Sequence, residues 1–296
     1  YGGCNFDGKA LSQLFLYDTS AYFWNSAKDD REFQEDHPGP RYGHSATLVD
    51  MHPPRLMIFG GIVGGGTFEF EAPNGLLDDA SGSSRGDEDT QDSLGRSLMS
   101  SRRGGKGTQR QTFDEETDDR VYFLELQTDK WVWKKPMIHG DKRDRPDRRT
   151  EHSASKIGTN QVAIFGGWTV KPESDLWVLD YVNMEWNRLL PSGIPPKPRY
   201  RHTSVVHDGS LYIMGGSDTG ADEIRGTGSH LGIHKLSLSE MQWTHPDISG
   251  SNPFPRSGHC SSLVGSGSVA IFGGKRSNIE FLNDLHIIDL GTFVGL

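Results

Sequence analysis

Ala163-Ile164-Phe165-Gly166-Gly167 is an apolar run that stops on a glycine pair, and the chain repeats this pattern five times. The other copies are Tyr1-Gly2-Gly3, Met57-Ile58-Phe59-Gly60-Gly61, Tyr212-Ile213-Met214-Gly215-Gly216 and Ala270-Ile271-Phe272-Gly273-Gly274. The second glycines fall at 3, 61, 167, 216 and 274, with gaps of 58, 106, 49 and 58. A unit of about 50 residues that recurs in this way specifies an array of small sheets rather than one continuous core. The doubled gap means that one copy carries a large insertion.

The parts of each unit come in a fixed order. An Arg-bearing turn leads into a His-Ser/Thr step: Pro40-Arg41-Tyr42-Gly43-His44-Ser45, Arg148-Arg149-Thr150-Glu151-His152-Ser153, Pro198-Arg199-Tyr200-Arg201-His202-Thr203 and Pro255-Arg256-Ser257-Gly258-His259-Cys260. The run into Gly-Gly follows. A third apolar stretch comes next, such as Leu176-Trp177-Val178-Leu179, and a tryptophan closes the unit: Trp24, Trp131, Trp186 or Trp243. Asp18 to Trp24, Glu125 to Trp131, Asp180 to Trp186 and Ser237 to Trp243 are each six positions, a constant offset that fits a hairpin of fixed register. Four short strands per unit, a to d, make a twisted antiparallel blade. Glycine at the end of strand b allows φ > 0 and close approach of a neighbour. The tryptophan is a large ring suited to packing between blades.

These residues resemble the kelch family of β-propellers, over nearly the whole chain outside the insertion. The resemblance implies an all-β, kelch-type propeller of about five four-stranded blades, some incomplete, forming part of a larger ring. The blades are expected at about 1–27, 40–134, 147–189, 198–245 and 255–296, in one propeller region spanning 1–296. Gly60, Gly61, Gly166, Gly167, Gly215, Gly216, Gly273 and Gly274, with Trp131, Trp186 and Trp243, are its structural residues. The first unit lacks strand a and most of b, and Gly295 falls where the last tryptophan belongs.

The composition agrees with many short strands and turns: 33% hydrophobic, with 37 Gly and 15 Pro in 296 residues. No apolar run reaches 18 residues, so no membrane span is expected. The chain opens at Tyr1 rather than Met and reads as a processed or excised piece. Two cysteines, Cys4 and Cys260, do not make a disulfide framework, and no N-x-[ST] sequon occurs. Both absences favour the cytoplasm or nucleus. A net charge of -9 argues against nucleic acid as a partner. Residues 62–118, rich in Gly, Ser and acidic clusters such as Asp87-Glu88-Asp89, are too polar to offset their ordering entropy and are expected to be a disordered b–c insertion.

The sequence shows no catalytic constellation. His44, His152, His202 and His259 occupy one slot of four units, which points to packing and hydrogen bonding rather than metal ligation. Cys260 sits where other units have Ser45, Ser153 and Thr203, and reads as a small buried residue. Some kelch propellers are copper-radical sugar oxidases, but no Tyr/His set stands out around Cys4. Glu173, Asp175 and His230 are weak loop candidates for metal. No metal, no cofactor and no enzyme activity are expected.

In an up-and-down blade, the b–c and d–a loops emerge together, and here these are the long loops. Elaboration on one side of a rigid scaffold marks a working surface. That face carries Arg143, Arg145, Arg148, Arg149, Arg199, Arg201, Arg225, Arg256, Lys275 and Arg276, with Trp168 beside them. Arginine forks take carboxylates and phosphates in pairs of hydrogen bonds. The expected function is therefore a scaffold or adaptor that binds a protein partner, through an acidic or phosphorylated peptide. The alternatives are a regulatory kelch domain of a larger enzyme (phosphatase, methyltransferase or ubiquitin-ligase subunit), a cytoskeletal or traffic protein, and a galactose-oxidase-like enzyme. Arg41, Arg199 and Arg256 follow proline in the repeat, and that placement equally fits a bracing role.

Overall fold

Strand b of each unit is apolar at consecutive positions, the pattern of a strand buried on both faces. A computed structural model describes residues 1–5, 8–26, 36–64, 117–127, 131–218, 231–247, 249–277 and 279–291. Most of the 62–118 insertion, together with Arg225, His230 and Gly295, lies outside them. The chain divides into two units, Tyr1–Glu69 with Thr112–Leu296, and Phe70–Gln111; every described residue belongs to the first.

The described residues form twenty strands, in chain order β1 (Phe15–Asp18), β2 (Phe23–Ser26), β3 (Arg41–Tyr42), β4 (Ser45–Met51), β5 (Pro54–Phe59), β6 (Ile62–Val63), β7 (Val121–Leu126), β8 (Trp131–Lys134), β9 (Ser153–Lys156), β10 (Gln161–Trp168), β11 (Pro172–Asp180), β12 (Glu185–Leu189), β13 (Ser192–Gly193), β14 (Thr203–His207), β15 (Ser210–Met214), β16 (Ile233–Ser237), β17 (Gln242–Thr244), β18 (Cys260–Val264), β19 (Ser268–Phe272) and β20 (Leu285–Asp289). Three blades are complete meanders: β4-β5-β7-β8, β9-β10-β11-β12 and β14-β15-β16-β17. The first sheet holds β1-β2 and the last holds β18-β19-β20. β13 adds to the outer edge of β17 in parallel, and β3 pairs with β6.

Alternate residues of strand b face opposite neighbours. Met57 and Phe59 join Trp177 and Trp186 of the following blade, whereas Ile58 joins Trp133 and Tyr1. Val162 and Ile164 face back, and Ala163 and Phe165 face forward onto Trp243. Burying one such Phe contributes about 1.5–3 kcal/mol, so the blades are held face to face chiefly by this interdigitation. The ring of Trp186 lies 5.2 Å from that of Phe59, and Trp243 lies 5.7 Å from Phe165.

In the second blade, the residue in this place is Trp133 rather than Trp131. Leu124 faces Trp133, as Leu179 faces Trp186 and Leu236 faces Trp243. Strands β7 and β8 each extend their hairpin one residue further toward the turn. The six-residue offset therefore lands on Trp131, which is only half-buried.

The glycine doublet is where the next blade comes closest. Gly60 and Gly61 have φ of 68° and 86°. A Cβ on Gly60 would stand 2.5 Å from the Arg149 carbonyl oxygen, and the Gly61 amide donates to that same oxygen at 2.9 Å. Gly167 and Gly216 donate in the same way to Arg199 and Arg256.

Candidate functional site

The arginine after each turn fastens its own blade. Arg149 is 1% exposed and gives Nη1 to the Gly166 carbonyl at 2.9 Å. It also grips the Asp175 carboxylate at 2.6 and 2.9 Å. Burial alone pushes the Asp175 carboxyl up. The Arg149 bonds outweigh it and hold Asp175 below the usual carboxylate range. Arg256 repeats this with Gly273 and Asp284, and Arg41 with Gly60 and Asp118. Arg199 differs. It bonds the Gly215 carbonyl, but Gly232 stands at the position that Asp175 and Asp284 hold in their blades, and Nη2 meets His234 Nε2 at 3.3 Å. Burial lowers the Arg199 pKa to about 10, with Asp218 opposing.

The histidines join blade to blade. Nε2 of His152, His202 and His259 lies 2.9 Å from the Ser45, Ser153 and Thr203 hydroxyl of the preceding blade. Burial drives their pKa down, to about 3 for His152 and about 4 for His259, so the rings are neutral. Cys260 occupies the matching acceptor place and is exposed rather than buried. Its slot faces forward, and among the described residues no further histidine stands over it.

The ten cations expected on the loop face therefore separate. Arg149, Arg199 and Arg256 spend their donors inside blades. Arg143 and Arg148 are exposed, and Arg145 bonds the Gly140 carbonyl at 3.0 Å. Arg276 lies over the Phe254 ring at 4.7 Å and pairs with Glu280 at 3.5 Å. Lys275 bridges Ser257 across the strands, while Arg225 is outside the described residues.

The loops meet through a repeated contact. The residue after each arginine pairs with the residue after each doublet: Tyr42 with Ile62, Thr150 with Trp168, Tyr200 with Ser217, and Ser257 with Lys275. One position further on, a backbone chain crosses from blade to blade. Glu151 N–H donates to Gly43 at 2.7 Å, Arg201 to Glu151 at 2.9 Å, and Gly258 to Arg201 at 2.8 Å. All four residues have left-handed φ: 65°, 57°, 55° and 64° for Gly43, Glu151, Arg201 and Gly258. Two of them are not glycine and bear a steric cost of about 1–2 kcal/mol each. These two form an ion pair, Arg201 Nε to Glu151 Oε1 at 2.7 Å. The Arg201 guanidinium also lies over Tyr200 at 5.6 Å, and Tyr200 meets Trp168 edge-on at 5.0 Å. Sequence reasoning passed over Glu151. Its signal was a charged residue in a repeat slot that is glycine in two other units.

A model of the KLHDC2/KLHL20/DRC7 Kelch-repeats domain matches residues 103–294. The chain belongs to the kelch-repeat family. It is 34% identical over 170 residues to the Rab9 effector protein with kelch motifs of Gallus gallus, covering 57% of this chain and 43% of that protein. Host cell factor 2 of Homo sapiens is 30% identical over 174 residues, 51% of this chain and 21% of its own length. Kelch domain-containing protein 3 of Bos taurus is 28% identical over 163 residues, 49% and 40%. The chain thus spans less than half the length of these relatives. They support a protein-interaction kelch domain. Among the described residues, no group of three His, Cys, Asp or Glu is placed to hold a metal ion, and no helix is long and apolar enough to cross a membrane.

Proposed function

We propose that the chain is an adaptor whose protein partner lands on the loop face, over the Glu151–Arg201 pair and the Trp168–Tyr200 aromatics beside it. The observation that carries this reading is the left-handed backbone of Glu151 and Arg201. A left-handed backbone kept at two ion-paired positions, where the same slot in two other units is glycine, supports side chains retained for recognition. A cation on one aromatic ring with a second ring at its edge suits an anchor-type contact. Exposed Arg143 and Arg148 add positive charge at the rim, which favours an acidic or phosphorylated segment in the partner.

The test replaces strain with glycine. Glu151→Gly and Arg201→Gly keep or raise the melting temperature, because glycine accepts the φ, yet each abolishes capture of the partner that wild type retains from a cell extract. Capture undiminished in both variants would refute the proposal.

A further inference from the structure

Each bracing arginine shares its carboxylate with a ring on strand c. Tyr122, Trp177, His234 and His286 occupy one register position, opposite Ile58, Ile164, Ile213 and Ile271. In three blades that ring donates to the acid which the arginine holds. Tyr122 Oη reaches Asp118 at 2.8 Å, Trp177 Nε1 reaches Asp175 at 2.7 Å and His286 Nε2 reaches Asp284 at 2.7 Å. The fourth blade keeps both donors and changes the acid. Gly232 stands at the register of Asp175 and Asp284. The position two residues earlier, from which Asp118 serves Arg41, is His230 in the sequence of this blade. Among the described residues no carboxylate pairs with Arg199; its partners are the Lys197 and Gly215 carbonyls and His234.

The two donors are left in an unfavourable contact. A guanidinium only donates, so the Arg199 Nη2 contact makes His234 Nε2 an acceptor and puts the ring proton on Nδ1. His234 is 7% exposed, and its Nδ1 is buried without a partner among the described residues. We infer that Arg199 and His234 form a carboxylate-binding site, in which the acid group of a ligand takes the place that an aspartate of the chain holds in the other blades. A carboxylate there accepts from Arg199 Nη2, and it accepts from His234 Nε2 once the ring proton has moved to that nitrogen. Arginine and a second donor on one carboxylate is the arrangement the other blades already show. The place has room: the nearest described atom to a Cβ on Gly232 is His234 Nε2, 4.0 Å away. Solvent reaches it, since the Asp118 and Asp175 side chains are 10% and 14% exposed there. The His245 ring, 4.2 Å from that of His234, closes one side. The carboxylate comes from a small organic acid or from an acidic side chain of a bound polypeptide. The site stands apart from the loop-face reading, which rests on Glu151 and Arg201.

The probes are acetate and the blocked peptide acetyl-Gly-Glu-Gly-amide, with its Gln counterpart, titrated into the full chain at ionic strength held constant with sodium chloride. Nitrogen NMR of the His234 ring reports which nitrogen carries the proton. The free chain is expected to carry it on Nδ1, and acetate to move it saturably to Nε2. Gly232→Asp supplies an internal acid, so its ring starts with the proton on Nε2 and acetate binds at least ~10-fold more weakly. Gly232→Ala, which adds no acid, retains acetate binding within ~3-fold. A melting temperature at or above that of wild type shows Gly232→Asp to be folded. Binding of the Glu peptide but not the Gln peptide assigns the site to a polypeptide side chain; binding of acetate alone assigns it to a small acid. A His234 ring that responds to neither acetate nor the Glu peptide overturns the proposal, including the case where an acid of the chain itself already holds the proton on Nε2. An equal acetate response in wild type and Gly232→Asp overturns it as well.

Discussion

His202 Nε2 and Ser153 Oγ lie 2.9 Å apart across a blade junction, in a buried environment. The hydroxyl is part of strand a of one blade and the imidazole precedes strand a of the next, so the bond links the innermost strands. A buried neutral hydrogen bond contributes about 0.5–1.5 kcal/mol, and leaving one partner unsatisfied costs about 1–3 kcal/mol. Ser153→Ala and His202→Ala are each expected to lower stability by roughly that larger amount. In a double-mutant cycle followed by urea unfolding, a coupling near 1 kcal/mol is expected, and additive losses would show that the bond carries nothing.

Acid weakens the same junctions. His44, His152, His202, His234 and His259 all have folded-state pKa values lowered by burial, to about 4 for His44 and about 3 for His234. An unfolded imidazole titrates near 6.5. Above that pH neither state is protonated. Below it the unfolded chain binds protons that the folded chain refuses, so stability falls as pH falls, until the folded rings titrate. At pH 5.5 the loss is about 1 kcal/mol per buried imidazole relative to pH 7.5. Urea midpoints at the two pH values check this, and equal midpoints would contradict it.

Gly232→Asp supplies the carboxylate that the other blade arginines already have. The site accepts it, since the nearest atom to an added Cβ is 4.0 Å away and Gly232 does not have positive φ. With Arg199 gaining a buried partner, stability should rise by about 1 kcal/mol. The reverse change in a complete pair, Arg149→Ala, strands Asp175 and should cost about 3–5 kcal/mol. Exposed Arg143→Ala should stay within about 0.5 kcal/mol. Thermal unfolding of the three variants ranks them.

Gly166→Ala and Gly273→Ala separate backbone strain from blade contact. Both glycines have positive φ, 59° and 65°. A Cβ at 166 meets the Arg199 carbonyl oxygen of the next blade at 2.7 Å, whereas at 273 the nearest atom among the described residues is the Leu282 carbonyl oxygen of the same blade at 3.3 Å. The change at 273 should cost the conformational term, about 1–2 kcal/mol, plus a small shift of the Leu282 carbonyl, and that at 166 clearly more. Equal losses in melting temperature would mean that the close approach is not energetically real.

The blade scaffold was legible in sequence because its signals are local and repeated. The Gly-Gly pairs, the His-Ser/Thr steps and the spacing of the hairpins each report one strand end. What escaped depended on neighbours. Cys260 shares a slot with Ser153, but its exposure turns on whether another blade stands over it. Trp133 displaced Trp131 because a longer hairpin shifted the pairing. The proline before Arg199 and Arg256 already fits a bracing role, whereas Arg149, which follows Arg148, looks like surface charge in a loop. Only the fold turns them inward, toward the Gly-Gly carbonyls and, for Arg149 and Arg256, the aspartate before strand c. The Glu151–Arg201 pair escaped because its distinguishing feature is a backbone angle, which a charge-based reading does not see.

The loop-face assignment is tested most directly by hydrogen exchange on the chain with and without its captured partner. Protection is predicted at residues 150–151, 168–170 and 200–201, on the face where the d–a and b–c loops meet. Protection confined to the opposite turns, around 181–184 and 208–209, would contradict it.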